Sequence, residues 1–319
     1  MNANPFPLQE AHLFDLNALA VFVAAAECGN FSEAGRQLNL SQPAVSQNID
    51  ALEKTFGVKL FERQGRSVRL TAAGQMLRSM GRELLASAHR LEETVASLEG
   101  EVAGEMTIGC TTTSGKYLLP GLIARFRQQF PQVRVNVHVF NREGMLRRLL
   151  GGEVDFGVSS KQSDQRDFEY QDFFDDEVIL IASASHRWAK FGQIYADDLL
   201  DEPMILREQH AGTRDVLADG LRQCDIMPEA LNVVMELGNA EAIEMAVGEG
   251  IGVAFISRLA AARGLALGRV VEVHVEGMRL TRKIWMARNR RMPATRAQSE
   301  FWQFIQAQKG ELAQWAMKQ

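Results

Sequence analysis

Between residues 16 and 100 the apolar positions repeat at helical spacing, interrupted by short polar turns. Leu16–Cys28 (LNALAVFVAAAEC) reads as a helix with Asp15 as its N-cap and Gly29 as its stop. Ser32–Leu38 is a short second helix, followed by the turn Asn39-Leu40-Ser41. Ser41 can cap a third helix with Pro43 in its first turn; Val45, Ile49, Leu52 and Phe56 fall on one face. Two short helices at a tight polar turn make a helix-turn-helix. After Gly57, KLFERQGRSVRL offers two short strands around Gly65, a basic hairpin where a wing belongs.

Thr71 can cap a helix that continues to about Glu99, roughly 40 Å at about 1.5 Å per residue. Leu77, Leu84, Leu91 and Leu98 repeat every seventh position, with Gly74, Gly81, Ala88 and Val95 three residues before each. This is a heptad seam. Large residues at one seam position and small ones at the other favour an antiparallel partner, so a homodimer is expected. Past Gly100–Gly104 the pattern changes to alternating strands and helices. MTIGC, VRVNVHVF, VDFGVSS, VILIAS, MILR, ALNVVMEL and GVAFIS read as strands. Tyr117–Phe130, Arg142–Leu150, Thr213–Cys224 and Ala240–Val247 read as helices between them, an α/β arrangement of βαβ units. A last helix, on the surface, is expected over Ala294–Lys318.

Charge changes the picture by its placement. The net charge is −5, yet Arg36 to Arg82 hold eight Lys/Arg against three Asp/Glu, a local excess of five positive charges. A basic N-terminal stretch on an acidic protein suits DNA contact at one end only. No run of about 18 apolar residues suggests a membrane span, and residues 1–10 lack a signal-peptide pattern. Cys28, Cys110 and Cys224 lie far apart, without zinc or disulfide spacing, which reads as reduced thiols of a cytoplasmic protein. The six histidines show no metal spacing, so neither metal nor cofactor is expected.

The run FSEAGRQLNLSQPAVSQNIDALEKTFGVKLFERQGRSVRLTAAG, from Phe31 to Gly74, resembles the LysR-type transcriptional regulators. Its most specific pieces are SQPAVS, LE…FGVKLFER and LTAAG. The resemblance extends over about residues 14–310. It implies a winged helix-turn-helix, a long linker helix and an α/β sensor of two periplasmic-binding-protein-like lobes. The expected domains are residues 14–71 for DNA binding, 72–100 for the linker, and 105–310 for the effector. Within the last, lobe I would take about 105–177 plus 271–310 and lobe II about 178–270. TTTSGKYLLP, LREQHAGTR and MELGNAEAI look like the branch regulating carbon fixation, nitrogen or sulfur assimilation. Two positions depart from the family pattern. Gly35 stands where Ala is usual, at a cost of about 0.5–1 kcal/mol in helix propensity. Gln47-Asn48 replaces an Arg or His followed by Gln, which alters one charged recognition contact.

For DNA reading, the first turn of the third helix must present side chains to base edges in the major groove. Gln42 can pair with adenine through two hydrogen bonds, Ser46 and Gln47 can bond either strand, and Pro43 can touch a thymine methyl. Arg36, Arg63 and Arg66 suit phosphate or the minor groove. For the effector, the expected places are helix starts after strands. Thr111, Thr112, Thr113 and Ser114 put four hydroxyls there. Arg207, Thr213 and Arg214 repeat the logic, the arginines able to clamp a carboxylate or phosphate unless Glu208 and Asp215 hold them. Asn239 marks a third start, and Asn141 and Ser159 follow the second and third strands. A small anion between the lobes is the expected ligand.

Cys110, beside the threonines, would need a low-pKa exposed thiolate to be a redox sensor, and it closes a strand instead. An enzyme fused to a winged helix, as in biotin protein ligases, would need a nucleotide loop. Neither GxxxxGK[ST] nor GxSxG occurs, so no enzyme is expected. A transporter's solute-binding protein fits neither the start of the chain nor the DNA module. Double-stranded DNA, a small-molecule effector, RNA polymerase and a second copy, in a homodimer or homotetramer, are the expected partners, with no membrane.

Overall fold

The computed structural model describes residues 14–64, 67–96, 102–111 and 113–308. The chain divides into two compact units: residues 1–98 with Gly151–Glu153, and residues 99–150 with 154–319.

The first unit contains α1 (Leu16–Cys28), α2 (Phe31–Leu38), α3 (Gln42–Phe56), β1 (Phe61–Gln64), β2 (Ser67–Leu70) and α4 (Ala72–Ala96). Its helix ends are chemically specified. Asp15 accepts from the Asn17 N–H at 2.9 Å, and Gly29 and Gly57 close α1 and α3 in the left-handed region. Asn30, which sequence reasoning did not single out, caps α2 through the Ser32 and Glu33 amides. The turn bends back so tightly that a Cβ on Gly35 would lie 2.7 Å from the Leu40 carbonyl oxygen. That turn explains a glycine there. Leu19, Phe22, Leu52 and Leu60 form one buried cluster, and Val21, Ala25, Ala34, Val45 and Ile49 form another. β1 and β2 pair antiparallel, Phe61 opposite Leu70 and Gln64 opposite Ser67.

The hairpin is tied to α3 by Glu53. Its carboxylate is 8% exposed and accepts from the Leu60 N–H at 2.8 Å, the Phe61 N–H at 3.3 Å and the Lys59 ammonium. Thr71 caps α4 by accepting from the Gly74 N–H at 3.0 Å and donates to the Lys59 carbonyl at 2.7 Å. Of the small seam residues, Gly74 and Gly81 are used within the chain. A Cβ on Gly74 would lie 2.1 Å from the Leu60 oxygen, and one on Gly81 would lie 2.9 Å from Leu19 Cδ1. Met76, Met80, Leu84, Leu91 and Val95 remain exposed. Leu98 lies outside the described residues.

The second unit contains β3 (Gly104–Cys110), a π-helical turn (Ser114–Leu118), α5 (Leu119–Gln129), β4 (Val133–Val139), α6 (Arg142–Leu150), β5 (Phe156–Ser159) and β6 (Phe168–Ser183). Then come β7 (Gln193–Ile194), β8 (Met204–Arg207), α7 (Gly212–Gln223), β9 (Val233–Leu237), α8 (Ala240–Gly248), β10 (Ala254–Ser257) and α9 (Arg258–Ala266). β11 (Val270–Val275), β12 (Leu280–Asn289) and α10 (Arg296–Ala307) complete it. The long sheet runs β4-β3-β5-β12-β6-β11-β7, with β10 also on β6 and β8 beside β9.

β6 and β12 run antiparallel through both halves of this unit. One half is built on β3, β4 and β5, with a core of Met106, Ile108, Leu122, Phe126, Phe156 and Phe301. The other has a core on each face of its strands: Leu180, Met204, Leu217 and Leu221 on one, Ile179, Ile181, Ile205 and Ile243 on the other. The return to the first half, expected near residue 271, falls within β12. β11 pairs with the 180–183 end of β6, and Val273, Val275, Met278 and Leu280 are buried in the second half.

The strands not anticipated are β7, the valine-rich β11, β12 and the polar N-terminal part of β6. The N-terminal part of β6 carries Glu169, Asp172, Asp175 and Asp176, poor strand formers taken alone. β12 supplies Arg288 beside Glu169, Lys283 beside Asp172 and Arg282 beside Asp176. Opposite charges facing each other across a strand pair favour it. The final helix, expected on the surface, buries Phe301, Trp302, Phe304 and Ile305 against the first core. Its expected continuation through Trp315 lies outside the described residues.

Candidate DNA-binding face and effector cleft

The start of α3 is sealed by a residue other than its proposed readers. Ser41 Oγ accepts from the Ala44 N–H at 3.3 Å. Gln42, Pro43 and Gln47 are exposed and Ser46 is half-buried, so none of the four is needed as the cap. Asn48 donates back to the Ala44 carbonyl at 2.9 Å. Arg36 is exposed and pairs with Glu33 one turn earlier. The side chain of Arg63 and the whole of Arg66 lie outside the described residues. What is described is one exposed helix start carrying amides, beside a basic hairpin.

In the second unit a cavity of about 630 Å³ opens at the C-terminal ends of β3, β4, β5 and β8. Strand ends of an α/β sheet are where such folds place ligands. Thr111, Thr113, Asn141 and Ser159, all anticipated, line it, as does Arg207. Thr112 and the side chain of Ser114 lie outside the described residues. Sequence reasoning missed Arg142, Ser160, Lys161, His210 and Arg282, which line it too. Chain position could have signalled three of them, since Ser160-Lys161 directly follow Ser159 and Arg142 directly follows Asn141.

The three helix starts differ. Asn239 caps α8 through the Glu241 and Ala242 amides, and Asn141 Oδ1 accepts from the Gly144 N–H at 2.8 Å. Neither Asn239 nor Thr213 is among the residues lining the cavity. α7 has Ala211 in the capping position and therefore no side-chain cap. Thr213, in its first turn, is 2% exposed, and its hydroxyl has no hydrogen-bond partner. A Cβ on Gly212 would lie 2.1 Å from Ser160 Oγ and 3.0 Å from Arg282 Nη1, so glycine lets these groups approach the helix start.

The two arginines expected to clamp a ligand are each paired with a carboxylate. Arg207 is held by Glu208 through two bonds of 2.7 Å. Arg214 donates to the Arg207 carbonyl at 2.8 Å and to Glu236, and it lines an adjoining groove instead of the cavity. Asp215 pairs with Lys161 at 2.7 Å. Burial pushes the Glu208 carboxyl up, but the Arg207 guanidinium outweighs it and holds the group below the usual carboxylate range. Arg282 and Asp176 form a buried pair at 2.7 Å, and Ser257 donates to the second Asp176 oxygen at 2.6 Å. Cys110 is fully buried and its thiol is pushed up to about 12, the opposite of a redox sensor's thiolate.

A winged helix-turn-helix with a long helix, and an α/β unit with a cleft at its strand ends, define a DNA-binding regulator carrying its own effector-binding domain. Residues 16–75 match the bacterial regulatory helix-turn-helix protein, lysR family, and residues 99–310 match the LysR substrate binding domain. The chain belongs to the LysR family of transcription regulators. It is 33% identical over 270 residues to the HTH-type transcriptional activator CmpR of Synechocystis, covering 85% of this chain and 87% of the relative. It is 31% identical over 295 residues to a probable RuBisCO transcriptional regulator of Nostoc, covering 92% and 88%. CbnR, a LysR family regulator solved alone and with its target DNA, shares the fold at TM-score 0.69 and 21% identity, covering 92% of this chain and 99% of CbnR. The family is one of regulators, and the enzyme reading falls with it. Among the described residues no helix is long and apolar enough to cross a membrane.

Proposed function

We propose that this regulator is controlled by a small anion bound at the start of α7, in the cleft of its second unit. The carrying observation is the uncapped first turn of this 12-residue helix, with the buried, unpartnered Thr213 hydroxyl in it. Free N–H groups and the helix dipole favour negative charge. Arg142, Lys161, Arg207 and Arg282 line the cleft against Glu143, Glu208 and Asp215, a slight cationic excess. Thr111, Thr113 and Ser160 can donate to the same ligand, while the Ser159 hydroxyl donates to the Lys161 carbonyl at 2.9 Å; Thr112 and Ser114 belong to the same segment as the threonines. Asn141 keeps its amide N–H groups for a ligand. Asn239 caps α8 and Arg214 lines the adjoining groove.

On DNA, Gln42, Pro43, Ser46 and Gln47 read bases while Arg36, Arg63 and Arg66 meet phosphate or the minor groove. A second copy covers the apolar groove of about 560 Å³ lined by Phe14, Phe56, Val58, Met76, Met80 and Leu84. A dimer, or a tetramer formed from dimers, then presents paired DNA-binding units to RNA polymerase promoters. The names of the relatives make carbon-assimilation genes the first targets to test. The test is a thermal-shift screen of anionic metabolites, followed by calorimetry of the best one on Thr213→Val. A ligand of the folded state raises apparent stability by mass action. Wild-type affinity in the folded variant would move the site away from α7. Light scattering of Met80→Glu/Leu84→Glu tests the dimer, which should dissociate.

A further inference from the structure

Lys116 and Tyr117 lie in a π-helical turn, and both reach the same carboxylate in the other half of the unit. Lys116 Nζ is 2.9 Å from Glu241 Oε1, and the Tyr117 hydroxyl donates to that oxygen at 2.7 Å. Glu241 sits in the first turn of α8. Its other oxygen, Oε2, is buried without a partner. Tyr117 also packs against two cores, the one around Phe126 and Phe301 and the one around Ile179 and Ile243. π-turns carry an extra residue and recur at functional positions.

The turn follows directly on the cleft. Thr111 and Thr113 line the cavity, and the Gly115 N–H donates to the Thr111 carbonyl at 2.9 Å. A Cβ on Gly115 would lie 2.6 Å from Cys110 Sγ, so the turn is pressed onto the end of β3. The threonines that line the cavity and the pair Lys116–Tyr117 therefore lie within one turn of each other.

We infer that Tyr117 and Glu241 are positioning residues for the effector cleft: they tie its threonine segment to α8 and so set the affinity for effector. This rests on the cleft being the effector site. A ligand shifts a conformation only by binding its two states differently, and a bond that exists in one of them supplies such a difference. Both donors meet one oxygen while the other goes unserved, so the tie leaves half of the carboxylate without a partner.

The experiment uses the full chain, with Tyr117→Phe, Glu241→Gln and Thr213→Val beside wild type. Amide hydrogen exchange is followed at residues 113–118 and 240–243 without ligand, and binding of inorganic phosphate is measured by calorimetry. Tyr117→Phe should speed exchange at both segments together and change phosphate affinity about 10-fold, the scale of one hydrogen bond to a charged group. Glu241→Gln keeps an acceptor for Tyr117, so it should give the smaller change of the two. Faster exchange confined to residues 113–118 would overturn the tie. So would an unchanged phosphate affinity in Tyr117→Phe while Thr213→Val loses it. If phosphate affinity ignores Thr213→Val, the anion reading fails, and the coupled exchange still decides whether Tyr117 links the two segments.

Discussion

Two helix starts in this chain are finished by opposite means. At α3 the backbone is closed: Ser41 takes the Ala44 N–H, and Gln42 and Gln47 project as side chains. At α7 Ala211 supplies no side-chain cap, Gly212 admits neighbouring groups, and the buried Thr213 hydroxyl has no hydrogen-bond partner. Base edges differ only in donor and acceptor pattern, so a DNA reader needs side chains with that pattern. A small anion needs charge compensation from several directions, which free N–H groups supply without carrying a counter-ion of their own.

The comparison breaks most severely at the support of α7. Arg282 reaches Gly212 because Asp176 holds it, and both are buried. Asp176→Ala leaves an uncompensated buried cation, and urea denaturation should show a loss of about 3–5 kcal/mol. At α3, Gln42→Ala should cost about 1–3 kcal/mol on the operator. Its binding to scrambled DNA should hold, and fluorescence anisotropy on both sequences separates the two. Equal losses would assign Gln42 to backbone contact.

Exchanging the caps sharpens the contrast. Ser41→Ala should destabilise the first unit by about 1 kcal/mol. Ala211→Ser should stabilise α7 by a similar amount and weaken anion binding, because the new hydroxyl occupies the N–H groups. A serine there that improves anion affinity would contradict the open-terminus reading. Thr213→Val removes an unpartnered hydroxyl at constant shape, so thermal unfolding should shift little or upward while anion affinity falls.

The smallest effect concerns the far end of α3. Burial pushes the Glu53 carboxyl up, but the Lys59 ammonium and the Leu60 and Phe61 amides outweigh it, and the group lies below its ordinary value. Its contribution is then complete above the unfolded value of about 4.3 and is lost as pH falls through the folded one. Glu53→Gln should flatten this acid limb in pH-dependent denaturation. A limb unchanged by the substitution would assign the acid sensitivity to other carboxylates.

Much of the first unit was legible along the chain because its determinants are local. Asp15, Gly29, Ser41, Gly57 and Thr71 act on amides or turns within a few residues of themselves. The heptad was legible too, though its division of labour was not: Gly74 and Gly81 pack inside the chain, against Leu60 and Leu19. In the second unit, most apolar strands stood out by composition, though the valine-rich β11 was passed over. The acidic stretch of β6 and the basic one of β12 did not, since each becomes a good strand only opposite the other.

The amino-acid order alone determined the helix-turn-helix, its wing and the alternation of strands and helices, since capping, turn chemistry and apolar periodicity act over a few residues. It also placed hydroxyl groups at helix starts. Tertiary structure decided which start stays open, which arginines are held by carboxylates, and which distant residues enter the cleft. Arg282 meets Asp176 across 106 positions, and Tyr117 meets Glu241 across 124. Contacts at such separations depend on how strands register and lobes fold together, and no pattern within a short window encodes that.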